Sequence, residues 1–117
     1  MTYISGFVVP VSDDQRDVYI ASAREAWPLF KEAGALHHVE AWGDKVPEGK
    51  LTDFRRAVAL KAGETVVFSW VVWPDKETSD RCEESMRTDA RWQALSMPFD
   101  GARMIFGGFE TVFEAKA

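Results

Sequence analysis

The spacing of hydrophobic positions changes along the chain, and each change marks an element. Residues 3–11 are rich in β-branched and aromatic side chains and carry no charge, which predicts a strand. Ser12-Asp13-Asp14-Gln15 follows and has the form of a capping box. A helix is predicted from there to about Ala33, with Gly34 as its stop. Tyr19, Ala23, Ala26, Trp27, Phe30 and Ala33 recur at helical spacing and form its apolar stripe. Pro28 removes one backbone donor from this helix and predicts a kink.

Residues 36–46 alternate as a second strand. Leu36, His38, Glu40 and Trp42 share one face, and His37, Val39 and Ala41 share the other. A loop follows through Val46-Pro47-Glu48-Gly49. Residues 52–60 fit either a short helix capped by Thr52 that buries Phe54 and Val58, or a ribbon strand over 56–60, with the helix preferred. Residues 65–73 form the strongest strand pattern, with Val66, Phe68, Trp70 and Val72 on one face and Val67, Val71 and Trp73 on the other. Asp75 opens a charged helix with a thin Cys82, Met86, Ala90 stripe, and Asp89 caps a further short turn. Met97-Pro98-Phe99-Asp100-Gly101 has turn chemistry. Residues 104–113 read as the last strand, with Gly107-Gly108 marking a bulge or a close backbone approach.

The order β-α-β-β-α-β predicts an α+β, ferredoxin-like domain over residues 1–117, an antiparallel sheet with its helices on one face. The other face should then be polar, yet strands one, three and four are apolar on both sides. The 8 Phe, 5 Trp and 2 Tyr are too many for one small core. A homodimer in which two such faces cover each other resolves the conflict. Truncating Trp70 on the central strand is then expected to cost about 3–5 kcal/mol.

Charge narrows the partners. A net charge of −5 disfavours nucleic acid and acidic membrane surfaces, both of which select clustered cations. The single cysteine, Cys82, allows no internal disulfide, and the first residues carry no basic leader, so a reducing cytoplasm is expected. No apolar run is long enough to span a bilayer.

Three blocks together resemble a known family. They are residues 39–50, from Val39-Glu40-Ala41-Trp42-Gly43-Asp44 to Lys50; Val67-Phe68-Ser69-Trp70; and residues 97–109, from Met97-Pro98-Phe99-Asp100-Gly101-Ala102-Arg103 to Phe109. The chain is similar to the YbaA-like family of small bacterial proteins, a domain of unknown function (1428). The resemblance implies a dimeric α+β barrel, in a superfamily that includes cofactor-free monooxygenases, haem-degrading enzymes, isomerases and ligand sensors. It implies no reaction, because the family itself has none established. His37-His38 departs from the family pattern, which more often has an acid and an aromatic there. A mechanism built on those histidines would be this chain's own.

The candidate chemistry is sparse. His38 and Glu40 project from one strand face, close enough for His38 to act as a base oriented by Glu40; the plainer reading is a partly solvated pair. Asp100 and Arg103 could grip a polar ligand at a barrel mouth or simply fix the turn. Arg56 could reach Glu40 or an anion, or face solvent. Trp42, Trp70 and Phe68 would line any cavity that persists in the dimer, and are otherwise core. Cys82 reads as a small buried apolar side chain. No metal-ligand spacing, phosphate-binding glycine loop or catalytic triad is legible, so no metal or cofactor is expected. The sequence thus favours a small-molecule binder or cofactor-free enzyme anchored by Glu40, Trp42, Arg56, Trp70, Asp100 and Arg103. The alternative is a structural or stress-related homodimer with a filled barrel.

Overall fold

A computed structural model describes residues 1–117. Its strands are β1 (Tyr3–Ser12), β2 (His37–Trp42), β3 (Glu64–Trp73) and β4 (Ile105–Glu110). Its helices are α1 (Arg16–Glu32), α2 (Phe54–Ala57), α3 (Lys76–Thr88) and α4 (Ala90–Gln93). The strands form one antiparallel sheet in the order β2-β3-β1-β4, the ferredoxin-like arrangement.

Register decides what each strand face meets. β1 and β3 pair over their whole length, with Tyr3 opposite Trp73 and Ser12 opposite Glu64. Val67, Val71 and Trp73 therefore share a face with Val9, Phe7 and Tyr3, and this face receives the helices. Ala26 and Phe30 of α1 and Cys82 of α3 close over Val71 and Trp73. Tyr19 closes over Val9, Val11 and Val67. On the opposite face, Val58 seals one end against Val8 and Val66. The rest of that face stays open: Phe68, Ile105 and Phe109 are each more than two-fifths exposed, at 45%, 44% and 60%.

Several local expectations change. Ser12 makes no side-chain cap; residues 13–15 form a 3-10 turn instead, tied to the start of β3. There the Asp13 amide donates to the Gly63 carbonyl at 2.8 Å and Thr65 donates to the Asp13 carboxylate at 2.5 Å. α1 continues through Pro28, because both Pro28 and Arg24, whose carbonyl loses its donor, lie on the exposed side where water can replace the bond. The helix stops where Gly34 takes a φ of +107°, open to glycine at little cost. β2 ends at Trp42 rather than residue 46: Gly43 approaches β3 so closely that an added Cβ would lie 2.6 Å from the Val66 carbonyl.

The segment 52–60 is helical, but its cap is Asp53, which accepts from the Arg56 amide at 2.7 Å. Val58 is buried as expected, whereas Phe54 is 48% exposed. It reaches over the open sheet face, 5.8 Å from the Phe68 ring. Gly107 and Gly108 make no bulge, since pairing with Gly6 and Ser5 is continuous. They mark a close approach: a side chain on Gly108 would collide with the Tyr3 ring. The last strand also stops at Glu110, short of residue 113.

The tryptophan at the heart of the core is Trp73 rather than Trp70. Trp73 is 2% exposed, packs edge-on against Phe30 at 6.1 Å and donates its indole N–H to Ser5 Oγ at 3.0 Å. Trp70 lies on the open face, half-buried against Phe68. Trp73→Ala should lower stability by about 3–5 kcal/mol, because it leaves a large cavity and removes the indole hydrogen bond to Ser5 Oγ. Chemical denaturation checks this; a midpoint equal to wild type would place Trp73 outside the core.

Candidate functional site

Between the helices and the sheet lies a cavity of about 300 Å³. Its floor is the helix-facing side of β1, β2 and β3, and its wall is the α1 stripe from Tyr19 to Phe30. The segment after α4 covers it with Leu95, Met97 and Phe99. The Ser22 hydroxyl reaches the Ser96 carbonyl and ties this cover to α1. Most of the lining is apolar, as small-molecule sites commonly are.

One polar corner interrupts it. β2 presents His38 and Glu40 two residues apart, so both side chains face the helices. His38 Nε2 lies 2.7 Å from Glu40 Oε2. The Tyr19 hydroxyl of α1 donates to the other carboxylate oxygen, Oε1, at 2.6 Å. The His38 side chain is 8% exposed and that of Glu40 23%. Phe30 meets the imidazole edge-on at 5.1 Å and Trp27 lies at 6.3 Å, so the ring's orientation is set by packing as well as by Glu40. Burial pushes the Tyr19 phenol well above its ordinary pKa, and the charge of Glu40 and the hydrogen bond to it add to the shift. Tyr19 is thus a standing donor that holds Glu40 in place. This corner can accept a proton at His38, with Glu40 behind it to balance the charge.

The remaining predicted site residues do not converge here. Trp42 shares the face of His38 and Glu40 but packs beside Val9 and Val67, outside the cavity, with the Arg16 guanidinium 5.4 Å above its ring. Trp70 is on the opposite face of the sheet. Arg56 does not meet Glu40; it is exposed on α2 and pairs with Glu48 at 3.0 Å and Asp53 at 3.5 Å. His37 faces away from the cavity. Tyr19 was legible only as one position in a helical stripe. Its hydroxyl, in a row otherwise of alanine, tryptophan and phenylalanine, is the signal that it needs a partner.

Asp100 and Arg103 form a brace. Arg103 makes a bidentate pair with Glu64, both distances 2.7 Å, and its Nε donates to Asp100 at 3.0 Å. It also donates to the carbonyl of Ala59, a residue held at a φ of +47°. The guanidinium is thereby committed to the protein and binds the turn before β4 to the start of β3. Cys82 is buried, and burial pushes its thiol up to about 11, away from the thiolate a nucleophile needs. No three His, Cys, Asp or Glu side chains cluster as a metal site would require.

The brace has a pH signature. Arg103 holds the Glu64 carboxyl down at about 2, below its ordinary value. A depressed folded-state pKa contributes stability that is complete above the unfolded pKa, about 4.5, and lost as pH falls toward 2. Glu64→Gln should therefore lower stability at neutral pH and flatten its decline across that acid window. Arg103→Lys should also lower the denaturation midpoint, because lysine cannot reproduce the planar fork. Denaturation midpoints measured between pH 2 and pH 7 test both; an Arg103→Lys variant with wild-type midpoints would show that the brace is idle.

A family model described as a protein of unknown function (DUF1428) matches residues 2–101. The uncharacterized protein YbaA of Escherichia coli strain K12 is 51% identical over 116 residues, spanning 97% of this chain and 99% of the relative. The Shigella flexneri protein of the same name matches equally, at 51% over 116 residues, with the same coverage of 97% and 99%. Among solved structures, a dimeric ferredoxin-like protein from an uncultured marine organism superposes with a TM-score of 0.65 at 14% identity, covering 100% of both chains. A second protein so described superposes with a TM-score of 0.59 at 11% identity, covering 98% of this chain and 100% of the other. At such identities the likeness is one of fold.

Proposed function

This chain belongs to the DUF1428 family of proteins of unknown function, and we propose that it is a homodimer whose subunits each bind a small, largely apolar molecule in the cavity between helices and sheet. The observation that carries the reading is the Tyr19–Glu40–His38 corner inside that cavity. Taking a carboxylate out of water is costly, and two partners offset part of that cost without filling the space beside it. Apolar walls with a few converging polar groups are the ordinary composition of a small-molecule site. The same corner has the parts of a general base, so cofactor-free proton abstraction is the chemistry it can support. A structural homodimer with no ligand would be expected to fill this space at interior density, and the open 300 Å³ weighs against it.

On this reading the binding space lies inside each subunit rather than within a barrel formed between two. The dimer rests on a different surface. Phe68, Trp70, Ile105 and Phe109 line an exposed apolar trough on the open sheet face, a surface of the kind that contiguous apolar contacts cover. The two marine neighbours are themselves described as dimeric. A net charge of −5 and a single buried cysteine support a cytoplasmic setting apart from nucleic acid and membrane. No helix is long and apolar enough to cross a membrane.

Native mass spectrometry of freshly purified protein tests both parts. The expected species is a dimer, with a retained small molecule on some fraction of subunits. Phe109→Asp should shift it to monomer, because two such carboxylates would be buried against each other. Ala23→Leu should leave the dimer intact and exclude the small molecule, since Ala23 lines the cavity and is remote from the open face. A wild-type monomer at micromolar concentration would refute the dimer. Failure of apolar probes to bind would refute the cavity reading.

A further inference from the structure

Resting on that cavity reading, we propose that His38 selects the ligand: the site takes a neutral, largely apolar molecule bearing one hydroxyl, whose proton is accepted by His38 Nδ1. The argument begins at Glu40. Its two carboxylate oxygens are both engaged, Oε1 by the Tyr19 hydroxyl at 2.6 Å and Oε2 by His38 Nε2 at 2.7 Å. A carboxylate only accepts, so the neutral imidazole facing it carries its proton on Nε2. The lone pair is then on Nδ1, which has no hydrogen-bond partner in the chain. Nor is it among fully enclosed polar atoms left unsatisfied, for there are none. His38 is thus an acceptor with a vacancy, on a side chain 8% exposed that lines the cavity.

The rest of the lining defines the ligand further. Tyr19, His38 and Glu40 are its only titratable side chains, and no lysine or arginine joins them. A carboxylate or phosphate would therefore meet the Glu40 charge with no cation to balance it. A neutral hydroxyl can donate to Nδ1 while the remainder of the molecule fills apolar space. Phe30 and Trp92, edge to face at 4.8 Å, offer walls suited to a flat ring. A phenol or an enol of modest size meets each requirement.

Three matched probes test it by calorimetry: 4-propylphenol, propylbenzene and 4-propylbenzoate. The wild-type protein should bind the phenol about fivefold or more tighter than propylbenzene, as one added hydrogen bond allows, and the benzoate weakest. His38→Phe keeps the ring volume and removes the acceptor. It should bind propylbenzene as wild type does and lose the preference for the phenol. Equal wild-type affinity for phenol and propylbenzene would overturn the proposal, as would a phenol preference that survives in His38→Phe. If none of the probes binds, the cavity reading itself falls. Nitrogen NMR of the wild-type histidines is independent of any variant. The expected form of His38 is the tautomer protonated on Nε2, and a Nδ1-protonated ring or an imidazolium would overturn the assignment.

Discussion

The register between β1 and β3 is the constraint from which the rest of the molecule follows. Ten consecutive pairs run from Tyr3 opposite Trp73 to Ser12 opposite Glu64. Side chains alternate across a strand, so a slip of one residue would exchange the two faces of β3. Val67, Val71 and Trp73 would then point away from the helices, and Phe68 and Trp70 would point into them. In the observed register the smaller valines and one indole meet α1 and α3, leaving room for a cavity. The broad rings of Phe68 and Trp70 remain on the open side. β2 inherits its register from β3, which sets Glu40 opposite Ser69 and His38 opposite Val71, small neighbours that leave the polar pair space.

Glu40 shows how that cavity can hold a polar group. A buried carboxylate is tolerated where its lone pairs are used, and here Tyr19 and His38 use both oxygens. Each partner comes from a different source: Tyr19 from the first turn of α1, His38 from the same strand. The arrangement therefore depends on α1 being docked at one rotation on the sheet, and Phe30, three turns along α1, fixes that rotation through its contacts with Trp73, His38 and Trp92. Core packing and site geometry are in this way the same set of contacts.

Arg103 serves stability at the other end of the sheet. It joins Glu64, Asp100 and the Ala59 carbonyl, gathering the start of β3, the turn before β4 and the loop that follows α2. Each of these lies at or beside a chain reversal. An arginine whose side chain is only 16% exposed is well suited to the role, because its fork can serve several acceptors at once. The cost is that four of its five N–H donors are spent within the chain, leaving a single one on Nη2.

The sequence by itself determined the order and type of the main elements, because periods of two and 3.6 residues are local properties of the chain. It also determined that one sheet face would be left apolar and uncovered, since Phe68, Trp70, Ile105 and Phe109 exceed what a single helical layer can bury. The pairing of His38 with Glu40 was legible for the same reason: two residues apart on a strand is a fixed distance. Tertiary structure alone decided the rest. Whether the face bearing His38 turned toward the helices, which of Trp70 and Trp73 entered the core, and that Tyr19 would complete the corner all depend on register and helix docking. So does the union of Arg103 with Glu64 across 39 residues of chain. These contacts join positions that no local pattern relates, and only the packing of one element on another brings them within a hydrogen bond's reach.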